Sequence, residues 1–184
     1  HLSRSDWPRL IMKTRQRSLG ALALPVLFLV ACAPAKPNLP PVSADHYFPL
    51  SIGTATAQLQ LALTDRERAQ GLMHRESMAP EHGMLFLFNQ PGPRSFWMRN
   101  TRIPLDLAYF DRDGKLLEVR ALYPYDDNGV DSRSDQVLIA VEMNRGWFAR
   151  QQMQAAAQLD LEALAQAVKR RGYAADNFSL QDAH

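Results

Sequence analysis

Apolar and polar residues alternate strictly along residues 55–63, ATAQLQLAL: Ala57, Leu59, Leu61 and Leu63 form one row, Thr56, Gln58 and Gln60 the other. A period of two puts one row against a core and predicts a half-buried strand. Thr64 then stands three residues before Glu67. That is the spacing of a capping box and predicts a short helix, with Gly71 suited to end it. Four further apolar runs follow at Met84–Phe88, Leu105–Phe110, Leu116–Leu122 and Val137–Met143. Turn residues separate them: NQPGP at 89–93, DRDG at 111–114 and DDNG at 126–129. Several short strands with few helices between them predict a mainly β fold, an antiparallel sandwich or barrel.

Beyond Gly146 the period changes. Leu159, Leu161, Leu164, Ala165 and Val168 lie at nearly helical spacing, and Lys169, Arg170 and Arg171 crowd the end where cations suit the helix dipole. This predicts a C-terminal helix stopping near Gly172 and covering an edge or end of the sheet. At the other end, residues 33–44 read APAKPNLPPVSA, with proline at 34, 37, 40 and 41. Such density favours extended polyproline and reads as a tether. The expected layout is an extension over 1–11, a signal segment over 12–31, the tether over 32–44, a β domain over 45–155, and a helix with tail over 156–184. No internal repeat is visible.

Length and charge sharpen this layout. A chain of 184 residues suits one domain with a real core. Its 21 Lys and Arg face 19 Asp and Glu, but residues 1–31 hold five of the bases and one acid, leaving 16 against 18 from Cys32 onward. The folding part is slightly acidic, so no nucleic-acid partner is implied. The basic cluster precedes the apolar run LGALALPVLFLV, too short for a comfortable membrane span and fit for the core of an export signal. Leu29-Val30-Ala31-Cys32 resembles a bacterial lipobox. The resemblance implies that Cys32 is the lipid attachment site, and that the membrane is a partner through this anchor. As the chain's single cysteine, Cys32 cannot form an internal disulfide. Ala33 after it favours, by the same resemblance, an outer-membrane lipoprotein facing the periplasm.

Strong enzyme signatures are missing. DRDG opens like a calcium loop, yet the twelfth position counted from Asp111 is Leu122 where a bidentate glutamate is needed. His74 and His82 are eight apart with Pro80 between them and have no familiar metal spacing. No Gly-x-Ser-x-Gly elbow or phosphate loop occurs. Neither a metal nor a cofactor is expected.

The run Phe96-Trp97-Met98-Arg99-Asn100-Thr101 fits neither a plain strand nor a plain helix. Together with Arg68, Gly71-Leu72-Met73, Arg75, Gly83-Met84-Leu85-Phe86, Ile103-Pro104-Leu105-Asp106 and VEMNRGW at 141–147, it resembles the signature of the domain-of-unknown-function 192 family. The likeness covers about residues 46–155. Arg99 stands where lysine is more usual in that family, and the tail after Ala155 is longer and more helical. The resemblance implies a compact, jelly-roll-like β domain and no established activity.

Three readings of the polar residues in these blocks stand side by side. Arg75, Trp97, Asn100, Asp106 and Glu142 could form a buried network fixing the bend at Pro104, with Arg75 paired to an acid. They could line a pocket for a small polar ligand, carbohydrates included, with Trp97 as a flat apolar face. Or Asp106 and Glu142 could act as the general acid and base of a hydrolase of a polar envelope component. The favoured expectation is a non-catalytic binding or accessory module of the envelope.

Overall fold

The computed structural model describes residues 39–180. Cys32 and the signal segment lie outside them. The chain runs β1 (Phe48–Ile52), β2 (Ala55–Ala62), α1 (Asp65–Gln70), β3 (His82–Gly92), β4 (Ser95–Phe96), β5 (Leu105–Phe110), β6 (Leu116–Leu122), β7 (Val130–Asp131), β8 (Val137–Asn144), α2 (Trp147–Arg150) and α3 (Leu161–Arg170), then a 3-10 turn at Ala175–Phe178. Six strands form one sheet in the order β1-β2-β3-β8-β5-β6, and β4 pairs with β7 in a small second sheet. The fold is mainly β, as the alternation predicts. Its sheet does not close into a barrel, and β2 pairs with β3 in parallel, Leu61 opposite Leu85. The segment carrying α1 makes this crossover.

Local chemistry accounts for the turns. Thr64 Oγ1 accepts from Glu67 N at 3.2 Å, while Glu67 Oε2 accepts from Thr64 N at 3.0 Å. The predicted capping box therefore starts α1, and Gly71 ends it at φ 47°. DRDG is a hairpin turn between β5 and β6, in which Asp111 Oδ1 accepts from the amides of Asp113 and Lys115. NQPGP proves to be strand rather than turn. β3 continues to Gly92 through a register shift after Leu87, which lets proline sit in an interrupted ladder. β1 is an edge strand whose alternation Phe48, Leu50, Ile52 is disguised by Pro49.

The sheet buries both faces. One face packs Leu50, Leu59, Leu85, Phe110 and Val141 against Leu159, Leu164, Val168, Phe178 and Leu180 from the C-terminal segment. The C-terminal helix thus covers a face of the sheet, not an edge or end, because its buried row meets the inward row of β1 and β2. The other face packs Met84, Phe86, Leu107 and Tyr109 under the loops that carry Leu72, Met98 and Ile103. The tether's last residues lie along the end of α3, where Val42 N donates to Arg170 O at 2.9 Å and Arg170 Nη1 to Pro40 O at 2.7 Å.

Between β3 and β8 the sheet requires a glycine. A Cβ on Gly83 would lie 2.3 Å from Glu142 O and 2.3 Å from Met143 Sδ. A carbonyl in a central ladder cannot retreat without breaking its neighbours' bonds. Gly83→Ala should therefore cost about 1–3 kcal/mol, seen as a lower denaturation midpoint in urea. An unchanged midpoint would show that the strands separate there freely.

Candidate functional site

The loops over the second face leave a cavity of about 350 Å³. Arg68 to Met73, from the end of α1 and the turn after it, form one wall, and Pro93 to Trp97 with Thr101 form the other. Phe86 and Glu142 supply the floor from the sheet. The registers explain why Glu142 arrives there. Glu142 lies opposite Met84 on β3 and Leu107 on β5, both of which face the loops, whereas its neighbours Val141 and Met143 enter the opposite core.

Glu142 is 4 % exposed and its carboxylate makes no hydrogen bond among the described residues. Burial pushes the carboxyl up to about 8, and the charge of Arg75 offsets only part of that rise. It is therefore mostly protonated at neutral pH, able to donate one hydrogen bond and accept others. Around it the lining is aromatic. Phe96 meets Phe86 edge-on at 5.0 Å and Phe88 at 6.5 Å, and the exposed Trp97 stands at the mouth with the Arg99 guanidinium 4.8 Å from its ring. Near the floor, burial and the charge of Glu118 raise Tyr109 above the usual phenol range, and its hydroxyl donates to Val130 O at 3.0 Å.

The structure brings two of the five candidate residues, Trp97 and Glu142, to the cavity and leaves three out of its lining. Arg75 pairs no acid among the described residues. It donates to Tyr47 Oη at 3.1 Å and Gln60 Oε1 at 2.5 Å, with Gln60 Nε2 in turn donating to Asp45 O. Asn100 is exposed and acts through its backbone: at φ 54° it takes the left-handed conformation asparagine tolerates, and its carbonyl accepts from His74 N at 2.9 Å. Asp106 points to the opposite face of the sheet. There it meets Arg145 Nε at 3.0 Å and Gly146 N at 2.7 Å, fixing the turn from β8 into α2. The five thus form no single network, and the Asp106–Glu142 pair a hydrolase would need is absent, since one residue of register separates the two faces.

The odd run at residues 97–101 also becomes intelligible. Thr101 N donates to Met98 O at 3.1 Å to close a tight turn, Met98 is buried beneath it, and Trp97 is left outside. Thr101 O and Met98 N hold the loop at 123–126 through Tyr125 N and Asp126 O. His74, Asn100 and Tyr125 beside these bonds all have positive φ. Sequence reading missed Phe88 and Arg94 of the lining, because NQPGPR looked like a turn and nothing local marks an arginine that folds back onto an aromatic.

The DUF192 family model, described as "Uncharacterized ACR", matches residues 49–161. Two solved structures are similar to this chain. One, from Sinorhizobium meliloti 1021, is described provisionally as a transcription regulator; it is 33% identical, has a TM-score of 0.60, and the match covers 65% of this chain and 95% of that one. The other, from Novosphingobium aromaticivorans DSM 12444, is described as a protein of unknown function; it is 32% identical, has a TM-score of 0.60, and the match covers 71% of this chain and 94% of that one. No curated protein matches the sequence.

Proposed function

We propose, from the premise that this chain belongs to the DUF192 family of uncharacterized proteins, that it is a non-catalytic binding module of the cell envelope, anchored through a lipid on Cys32. Its ligand is a small molecule with an apolar body and a polar group that reaches Glu142. One observation carries this reading: a carboxyl 4 % exposed, with no hydrogen bond among the described residues, at the floor of a cavity of about 350 Å³. Its oxygens still reach the cavity, and a ligand that bonds them would offset the desolvation that raises this carboxyl. A cavity of this size with aromatic side chains beside convergent polar groups is a usual form of small-molecule site. Phe86, Phe88 and Phe96 suit an apolar body, and Glu142 with the other polar lining residues suits a polar group.

The regulator description of the Sinorhizobium chain is not carried over, since 16 basic against 18 acidic residues from Cys32 onward give no excess to attract phosphate backbone. Native mass spectrometry of the protein purified from its own envelope tests the binding reading. One small-molecule adduct per chain is expected, absent from Ala69→Phe, which fills the mouth from the exposed side of α1. Finding no adduct and no thermal stabilisation by small-molecule extracts of that envelope would overturn it. The anchor has its own test: Cys32→Ser should move the protein from the membrane to the soluble fraction with its melting temperature unchanged. Retention in the membrane fraction would refute the lipid attachment.

A further inference from the structure

Two guanidinium groups pack on one ring beside the cavity. Arg94 Cζ lies 3.8 Å and Arg68 Cζ 5.3 Å from the centroid of Phe88. Both arginines line the cavity and also an adjoining open depression reached past Asn89 and Pro91. Their roles differ. Arg68 is committed to the fold: it donates to Leu63 O at 2.9 Å and Leu87 O at 2.7 Å and pairs with the exposed Asp65 at 2.6 Å. Arg94 donates to carbonyls alone, those of Val137 at 3.4 Å and of Gln90. Among the described residues it has no carboxylate partner, and its Nη1 edge makes no protein hydrogen bond.

Burial, and then the like charge of Arg68, hold the Arg94 guanidinium below its ordinary basicity. Asp65, which lines the same depression, is paired with Arg68. Arg94, half-buried and without a carboxylate partner among the described residues, is relieved by an anion, and a guanidinium edge fits the oxygens of a carboxylate or phosphate. The carbonyl bonds fix the plane of Arg94 in advance, so little ordering is required on binding. The floor carboxyl, held neutral by burial, does not repel such a ligand.

We propose that Arg94, backed by Arg68, is an anion subsite of the cavity, and that the ligand is an aromatic or apolar small molecule carrying one carboxylate or phosphate group. The proposal rests on the binding reading above and narrows it. Its apolar body would lie against Phe86 and Phe96, with the anionic end on the Phe88–Arg94 stack.

The test follows the backbone amide resonances of Gly71, Phe88 and Phe96, all on the cavity lining, in the 15N-labelled full chain at constant ionic strength. The probes are 4-phenylbutyrate, its neutral amide, acetate, phenyl phosphate and inorganic phosphate. Either aromatic anion should bind about ten-fold tighter than both the amide and its small parent anion. Whichever aromatic anion binds tighter identifies the head group. Arg94→Gln should remove that advantage, and Arg94→Lys should recover part of it with an unchanged melting temperature. Equal binding of acid and amide overturns the proposal, as does an advantage that survives in Arg94→Gln. If Ala69→Phe abolishes an envelope adduct while acid and amide bind alike, the cavity reading stands and the anion subsite falls. If no adduct is found but Arg94 takes the aromatic anions, the subsite stands and the envelope ligand does not.

Discussion

Glu142→Gln is expected to melt higher than the wild type at pH 8.5 and to differ little from it at pH 5. The sign follows from the folded carboxyl, pushed up to about 8 from an ordinary 4.5. Below 4.5 the group is protonated in both states. Between 4.5 and about 8 the unfolded carboxyl loses its proton while the folded one keeps it, so stability falls as pH rises through this window. Glutamine keeps the shape and a neutral donor but cannot ionise, so the variant escapes the fall. At about 1.4 kcal/mol for each pH unit between 4.5 and about 8, the gain is roughly 4–5 kcal/mol at the alkaline end, or about 8–20 °C in a domain of this size. The charged and titratable groups facing Glu142 are Arg75 and Tyr109, and both persist in the variant. Parallel melting curves from pH 5 to 8.5 would mean that Glu142 is solvated or partnered in solution. The same substitution should weaken the native ligand, giving a residue that is costly to the fold and useful to the site.

A chain ending at Ala155 is expected not to fold cooperatively. It loses Leu159, Leu164, Val168, Phe178 and Leu180, each at most 3 % exposed. At about 1.5–3 kcal/mol each, the loss rivals the whole stability of an ordinary domain, about 5–15 kcal/mol. Arg171 goes with them. It is 7 % exposed, donates to Leu61 O and meets Glu67 Oε1 at 2.5 Å, tying the end of α3 to the cap of α1. Burial works to raise the Glu67 carboxyl, but the amides of Leu63 and Thr64 and the Arg171 guanidinium outweigh it and hold it lowered. Without Arg171 that cap weakens, and α1 is a wall of the cavity. Circular dichroism should show no sharp thermal transition. Leu164→Ala, at about 2–5 kcal/mol, gives a graded check on the same face. A truncated chain melting within a few degrees of the full one would make the C-terminal segment an appendage. The family match ends at residue 161, so in this chain most of that covering segment lies beyond the part recognised as DUF192.

Asp106 and Arg94 show where sequence reading stops. Asp106 is the second residue of LDLAYF, a strand buried at every position. Alternation disappears when both faces are covered, so nothing in the string says which face Asp106 takes. The pairing of Asp106 with Met143, and of Leu107 with Glu142, decides it, and a single residue of register separates a turn-fixing carboxylate from a cavity floor. Arg94 lies beyond a proline-rich stretch that reads as a turn, and its contact with Phe88 depends on an interruption of the β3 ladder.

By itself the sequence determined what short-range physics sets. The place of β2, the Thr64–Glu67 cap, the Asp111 hairpin and a helix carrying Leu164, Ala165 and Val168 follow the pattern, because neighbours in the chain decide them. Leu159, by contrast, enters a bridge with Ile52 before α3 begins, and Gln60 is buried. The DUF192 blocks were equally legible, since they are ordered strings. Tertiary structure alone decided the parallel β2–β3 pair, the face covered by α3, and the separation of Asp106 from Glu142. It also decided that Glu142 would reach the cavity floor without a hydrogen bond among the described residues. That outcome depends on segments distant in sequence closing over one strand, and no local pattern records the cost of desolvating a carboxyl there.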